Sequence, residues 1–140
     1  MDDGGDDQAA ALLMRDVSRA GVELGRARLE GLPARLTVGE LLARRVRADV
    51  TAYNAEPGRV FAGLVQPADA IRHSDGFHLH RPRPLEADVL VAAAQQAVRA
   101  GLLRLQAGEA VLDDLDAQLA PGEFDEVVAV LARPVVADDA

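Results

Sequence analysis

The chain reads as an α+β domain in which two N-terminal helices precede a mixed sheet of order strand, strand, helix, strand, strand, strand. Three observations predict this. Thr37-Val38-Gly39-Glu40 is a capping box that starts a helix in the first third of the chain. From Val60 onward, short apolar runs alternate with Gly and Pro turn residues, the texture of strands. Among those runs, LEADVLVAAAQQAVRA (residues 85–100) is long and rich in Ala and Leu, which makes it a helix.

Residues 1–7 (MDDGGDD) and 137–140 (ADDA) are acidic, apolar-poor tails that read as solvated. Between the first tail and residue 55 the chain is expected to be helical. Leu13, Val17, Ala20, Leu24 and Ala27 recur at spacings of three and four, one face of a helix from Gln8 to about Arg28. Gly21 and Gly25 each cost roughly 1 kcal/mol in a helix interior and mark a kink or a close helix contact. Glu30-Gly31-Leu32-Pro33 ends that helix. In the second, Thr37 accepts from the Glu40 amide, Glu40 reaches back, and Leu36 and Leu41 form a hydrophobic staple. Val38, Leu42, Val46, Val50 and Tyr53 face inward, and Arg44, Arg45, Arg47 and Asp49 face water as a mixed-charge surface.

Val60-Phe61-Ala62-Gly63-Leu64-Val65 is a continuous apolar run, expected as a buried strand. Gly76 to Arg81 alternates with period two before Pro82 and Pro84, as an edge strand does. The 85–100 helix carries Glu86 and Asp88 in its first turn and is followed by a C′ glycine, Gly101. Residues 102–106 and 109–112 then form a hairpin about Ala107-Gly108, and Asp113 to Leu119 a short helical turn. Val127 to Ala132 (VVAVLA) is the most apolar strand and belongs inside the sheet.

Two stretches carry a family resemblance. LRLQAGEAVLDDLDAQL, residues 103–119, resembles the strand, Ala-Gly turn, strand and following Leu of ubiquitin-like proteins. DEVVAVLARPVV, residues 125–136, is similar to the last strand and Pro-Val tail of the small sulfur-carrier subunits of molybdopterin synthase. The resemblance spans residues 60–136 and implies the β-grasp fold, with its first and last strands central and its second and fourth at the edges. The carriers of that family react through a C-terminal Gly-Gly, whereas this sequence ends Ala137-Asp138-Asp139-Ala140. The role the resemblance implies is therefore recognition, not transfer.

Composition narrows the function. At 140 residues and 49% hydrophobic content the chain suits one domain with an ordinary core. It has no Cys, which removes disulfides and thiolate chemistry. Its basic residues are all Arg, a bias read as genomic composition. The net charge of −8 disfavours nucleic acid and anionic lipid. With no apolar run of membrane length and an acidic beginning, the chain is expected in the cytoplasm.

The histidines pose the sharpest question. His73, His78 and His80 are the only three, and His78 and His80 share a strand face about 7 Å apart, near enough for zinc to bridge. Phe77 and Leu79 point the other way, toward the core, so the same alternation makes the histidines a solvated edge. Asp113, Asp114 and Asp116 lack the glycine and bidentate Glu of a calcium loop. Neither Ser18 nor Ser74 stands in a nucleophile turn.

No catalytic residue, metal or cofactor is assigned. The expectation is a non-catalytic protein-binding module or accessory subunit that contacts another protein through His78, His80 and Arg81 and through Arg44, Arg45 and Arg47. The alternatives are a metal-binding protein or metal-dependent enzyme using His73, His78 and His80, and a winged-helix regulator entered at Ala100-Gly101-Leu102-Leu103-Arg104. The last sits poorly with an acidic chain.

Overall fold

A computed structural model describes residues 10–56, 60–73 and 76–137. Its first element is a strand, which overturns the expected pair of N-terminal helices. Ala10–Ser18 (β1) and Glu23–Leu32 (β2) form an antiparallel hairpin in place of the helix expected over 8–28. The turn explains the difference. Gly21 takes φ +86°, its N–H donates to Ser18 O at 2.9 Å, and Ser18 N–H donates to Val22 O at 2.9 Å. A period of two organises β1, with Leu12, Met14 and Asp16 inward. The helical spacing of Leu13, Val17, Ala20 and Leu24 does not mark the buried face: Val17 is buried, but Leu13 is only partly so, Ala20 is exposed and Leu24 is 47% exposed. Near the end of β2 the register against β1 shifts and Gly31 takes φ +71°, and both Leu29 and Leu32 are buried although three positions apart.

Leu36–Thr37 (β3) leads into Val38–Asn54 (α1), and here the local signal is followed closely. Thr37 Oγ1 accepts from Glu40 N at 3.0 Å and Glu40 Oε1 accepts from Thr37 N at 3.4 Å, so both halves of the capping box form. Val38, Leu42, Val46, Val50 and Tyr53 are buried, as their spacing requires.

The expected strand over 60–65 is absent. Phe61 makes one isolated bridge, its N–H donating to Phe77 O at 2.8 Å, and the strand begins later, at Val65–Pro67 (β4). Ala70–His73 (β5) and Gly76–Leu79 (β6) pair only with each other. The histidine strand is thus half of a separate hairpin and not an edge of the main sheet. Ala87–Arg99 (α2) packs on α1 and against β4. Leu103–Ala107 (β7) and Ala110–Leu112 (β8) form the hairpin expected there. Gln118–Leu119 (β9) pairs with β3, where a helical turn was expected. A 3-10 turn at Pro121–Glu123 precedes Glu126–Leu131 (β10) and Val135–Ala137 (β11), and β11 pairs in parallel with β4. Ala137 is buried in β11 and not in a solvated tail, while residues 1–7 and 138–140 of the expected tails lie outside the described residues.

The main sheet runs β2-β1-β10-β7-β8, with β1 parallel to β10 and every other pair antiparallel. Its first two strands therefore come from residues 10–32 and not from 60–81, which corrects the expected sheet over 60–136. As the apolarity of VVAVLA requires, β10 is central. The core is aliphatic, with Met14, Leu41, Leu42, Leu90, Leu105 and Val127 fully enclosed and one edge-to-face aromatic pair, Tyr53 and Phe61, at 5.7 Å. Among the described residues no helix is long and apolar enough to cross a membrane.

The sign of one substitution separates hairpin from helix. Gly21→Ala forces a β-carbon onto φ +86° and is expected to cost about 1–2 kcal/mol in urea unfolding. In a helix interior the same change stabilises by about 1 kcal/mol.

Candidate functional site

Arg45 is the largest departure from the sequence reading. It was expected on a solvated face, but its side chain is 0% exposed and lies between two carboxylates. Nη1 and Nη2 donate to Asp16 Oδ1 and Oδ2 at 2.7 Å each, a fork of the kind that recognises carboxylate. Nε donates to both oxygens of Asp49, one helical turn on, at 3.0 Å. Asp49 Oδ2 also accepts from Leu64 N at 2.9 Å. Of the expected basic face, Arg44 is exposed and Arg47 is exposed and 3.2 Å from Asp88 on α2.

Arg45 is buried because α1 is covered by β2, β3 and α2, so its inward stripe is wider than the five apolar positions mark. A signal for this did exist: period two from Leu12 and Met14 turns Asp16 inward, and a buried carboxylate needs a cation. It was invisible while that segment read as a helix.

The cluster holds one cation and two carboxylates. Burial lifts the Asp49 carboxyl above its ordinary range and the charge of Asp16 adds to this, while Arg45 and the Leu64 N–H oppose it. For Arg45, burial works against the charge, but the Asp16 hydrogen bonds and the two carboxylate charges outweigh it and hold the guanidinium protonated.

Two concavities flank this cluster. A cavity of about 280 Å³ lies between the β5–β6 hairpin and the main sheet, with Asp16 and Gln66 among its lining and Leu24, Phe61, Phe77 and Leu131 as apolar walls. Gln66 Nε2 donates to Gly63 O at 2.8 Å, and Gln66 Oε1 is buried without a partner among the described residues. On the other side, a groove of about 710 Å³ runs along β2, lined by Ala27 and Arg28 of that strand, by Ala48, Ala52 and Tyr53 of α1, and by Ala62. Ala62 borders both.

The histidines are arranged otherwise than expected. The strand ends at Leu79, so His78 and His80 do not continue one alternating face. Instead His73 and His78 meet across the hairpin, ring centroids 4.7 Å apart and nearly perpendicular. Backbone N–H groups of His80 and Arg81 donate to Asp69, at 3.0 and 3.1 Å. Arg83 forks onto the Asp69 carboxylate at 2.9 and 3.1 Å, and that pairing, ahead of the backbone donors, holds Asp69 below its usual range. Among the described residues no group of three or more His, Asp or Glu is placed to hold a metal ion. Ser74 and Asp75 lie outside the described residues. Near the acidic triplet, Asp114 Oδ1 accepts from Asp116 N at 2.9 Å, a local turn.

Comparison with protein-family models, with curated proteins and with solved structures finds no match to this chain.

The triad makes a pH-dependent prediction. Arg45→Met strands two buried carboxylates and is expected to cost about 3–5 kcal/mol at neutral pH. Because Asp49 already titrates above its unfolded value, its ionisation opposes folding as pH rises through the ordinary range to the raised one. Removing the cation widens that interval, so the deficit of Arg45→Met shrinks as pH falls from 7 to about 5. Urea midpoints across this range check it; a deficit that is flat with pH contradicts the assignment.

Proposed function

We propose that the chain is a non-catalytic protein-binding module, an accessory subunit of a cytoplasmic assembly, built on a β-grasp arrangement of β1, β2, α1, β7, β8 and β10. The strand order supports that arrangement: first and last strands of the sheet are central and parallel, second and fourth are at its edges.

The observation that carries the binding role is the groove along β2. At 10 residues, β2 is the longest strand among the described residues, and it lies at the rim of the sheet, with no strand of the described residues paired to its outer side. An extended segment of another protein adds to such an edge through main-chain hydrogen bonds. Ala27, Ala48 and Ala52 leave space there for its alternate side chains. Arg26 and Arg28 are held by Glu23 and Glu30, at 2.7 and 3.1 Å, so the edge is charged but locally neutral, which guards against self-association. His80, Arg81, Arg44 and Arg47 remain exposed and available to a partner, whereas Arg45 does not.

Ala48 and Ala52 are exposed, so Ala48→Glu and Ala52→Arg fill the groove with stability changed by no more than about 0.5 kcal/mol. Affinity capture from the native cell, followed by hydrogen exchange on the complex, is expected to show protection of β2 amides and loss of the partner in both variants. Partner retention by both variants overturns the reading.

A further inference from the structure

We propose that the cavity beneath the β5–β6 hairpin is a binding site for a carboxylate that carries an apolar tail, with the tail among the cavity walls and the carboxylate on Arg72 at its mouth. The site is separate from the groove beside β2 and does not rest on it.

The mouth is built from side chains that a ligand can reach. Leu24 at the start of β2 is 47% exposed, Phe77 of β6 is half-buried, and Pro134 between β10 and β11 is exposed. Separate parts of the chain thus present apolar surface to one opening. Val22, just before β2, adds a side chain 60% exposed at the same end of the sheet. Large apolar side chains left together in water mark a binding surface. Behind them Phe61 and Leu131 close the cavity. Its volume of about 280 Å³ lies at the small end of ligand pockets, which run from roughly 300 to 1,000 Å³, so it takes one ring or a short aliphatic tail.

Charge fixes the other end of the ligand. Arg15, Arg26, Arg47 and Arg83 each hold a carboxylate of this chain. Arg72 is exposed and makes no ion pair among the described residues, although the chain carries a net charge of −8. Its guanidinium lies over the Phe77 ring, 5.7 Å from the centroid, which keeps the charge at the edge of the cavity with its N–H donors unspent. The exposed His73 ring lines the same mouth and adds a donor. Arg19 in the β1–β2 turn and Arg133 beside Pro134 are also exposed and without an ion pair among the described residues. Glu23, close by in sequence, is taken by Arg26 and Arg15. This end of the sheet is therefore basic on an acidic chain.

The buried end of the cavity sets the orientation. Asp16 stands there, and it shares the Arg45 guanidinium with Asp49, two carboxylates on one cation. They turn an anionic group away from the interior, and Arg72 draws it to the opening. A cation entering from solvent meets Arg72 first.

The test sets one ring on an anion, a neutral group and a cation. The full chain is titrated with hydrocinnamate, its neutral amide and phenethylamine, while heteronuclear NMR follows the backbone amides. Hydrocinnamate is expected to move the Leu24, Arg72 and Phe77 amides and to bind about tenfold more tightly than its amide, the difference that one charge-assisted hydrogen bond makes. Arg72→Gln is expected to remove that difference, its melting curve establishing that it folds. Leu24→Asp, at an exposed wall position, weakens hydrocinnamate and its amide alike and serves should Arg72→Gln fail to fold.

N-acetyl-phenylalanine separates the two sources of such a group. Tighter binding than hydrocinnamate assigns the site to the C-terminal residue of a polypeptide, and equal or weaker binding to a free acid. Hydrocinnamate that moves none of these amides, that binds no better than its amide or phenethylamine, or that keeps its advantage in Arg72→Gln overturns the proposal.

Discussion

Arg45 sits in the interior with both of its faces committed to carboxylates, and the arrangement of the sheet depends on that pairing. The side chain joins α1 to β1 through Asp16 and to the loop before β4 through Asp49, which in turn holds Leu64 N–H. Charges taken out of water are tolerated only when fully paired, so this contact admits very little displacement. A one-residue slip of β1 would turn Asp16 to the opposite face and leave both Nη groups of Arg45 without their acceptors in the core, with Asp49 as the remaining counter-charge. Because β1 lies between β2 and β10, fixing its register fixes how the two halves of the chain meet. On the surface, Arg15 repeats this link less strongly, reaching Glu126 at 3.2 Å across 111 positions of sequence.

That same cluster shapes the two concavities. In the loop anchored by Asp49, a β-carbon at Gly63 would collide with the ring of Phe61, two residues earlier in the same loop, and stand 3.1 Å from Asp49 Cβ on α1. Glycine is required there by close approach, not by backbone angle. The tightness brings Gln66 against Gly63 O and Phe61 against Tyr53, so one side of the loop lines the small cavity and Ala62 borders the groove on the other. A structural ion cluster thus lies behind both candidate binding surfaces.

How far the sequence could be read depended on the range of each signal. Capping chemistry acts within four residues, and the Thr37–Glu40 box appears as read. Turn chemistry about Ala107-Gly108 is equally local, and the β7–β8 hairpin forms there. The first 32 residues misled because apolar residues at three- and four-residue spacing fit a helix about as well as their alternation fits a strand. Gly21 was the deciding residue, a breaker in one reading and a positive-φ turn in the other. For the candidate sites, the histidines drew attention by clustering in sequence, whereas Gln66 and Asp16 stood out in no pattern.

By itself, the sequence determined the start of α1, the position of α2, the second hairpin of the sheet and the apolar strand at its centre, because each follows from neighbours along the chain or from plain hydrophobicity. Only the tertiary structure decided that the N-terminal segment pairs with β10 more than a hundred residues away, that the histidine hairpin stands outside the sheet, and that Arg45 is internal. The physical reason is that charge and spacing describe a residue's own chemistry, while burial is a property of whatever covers it.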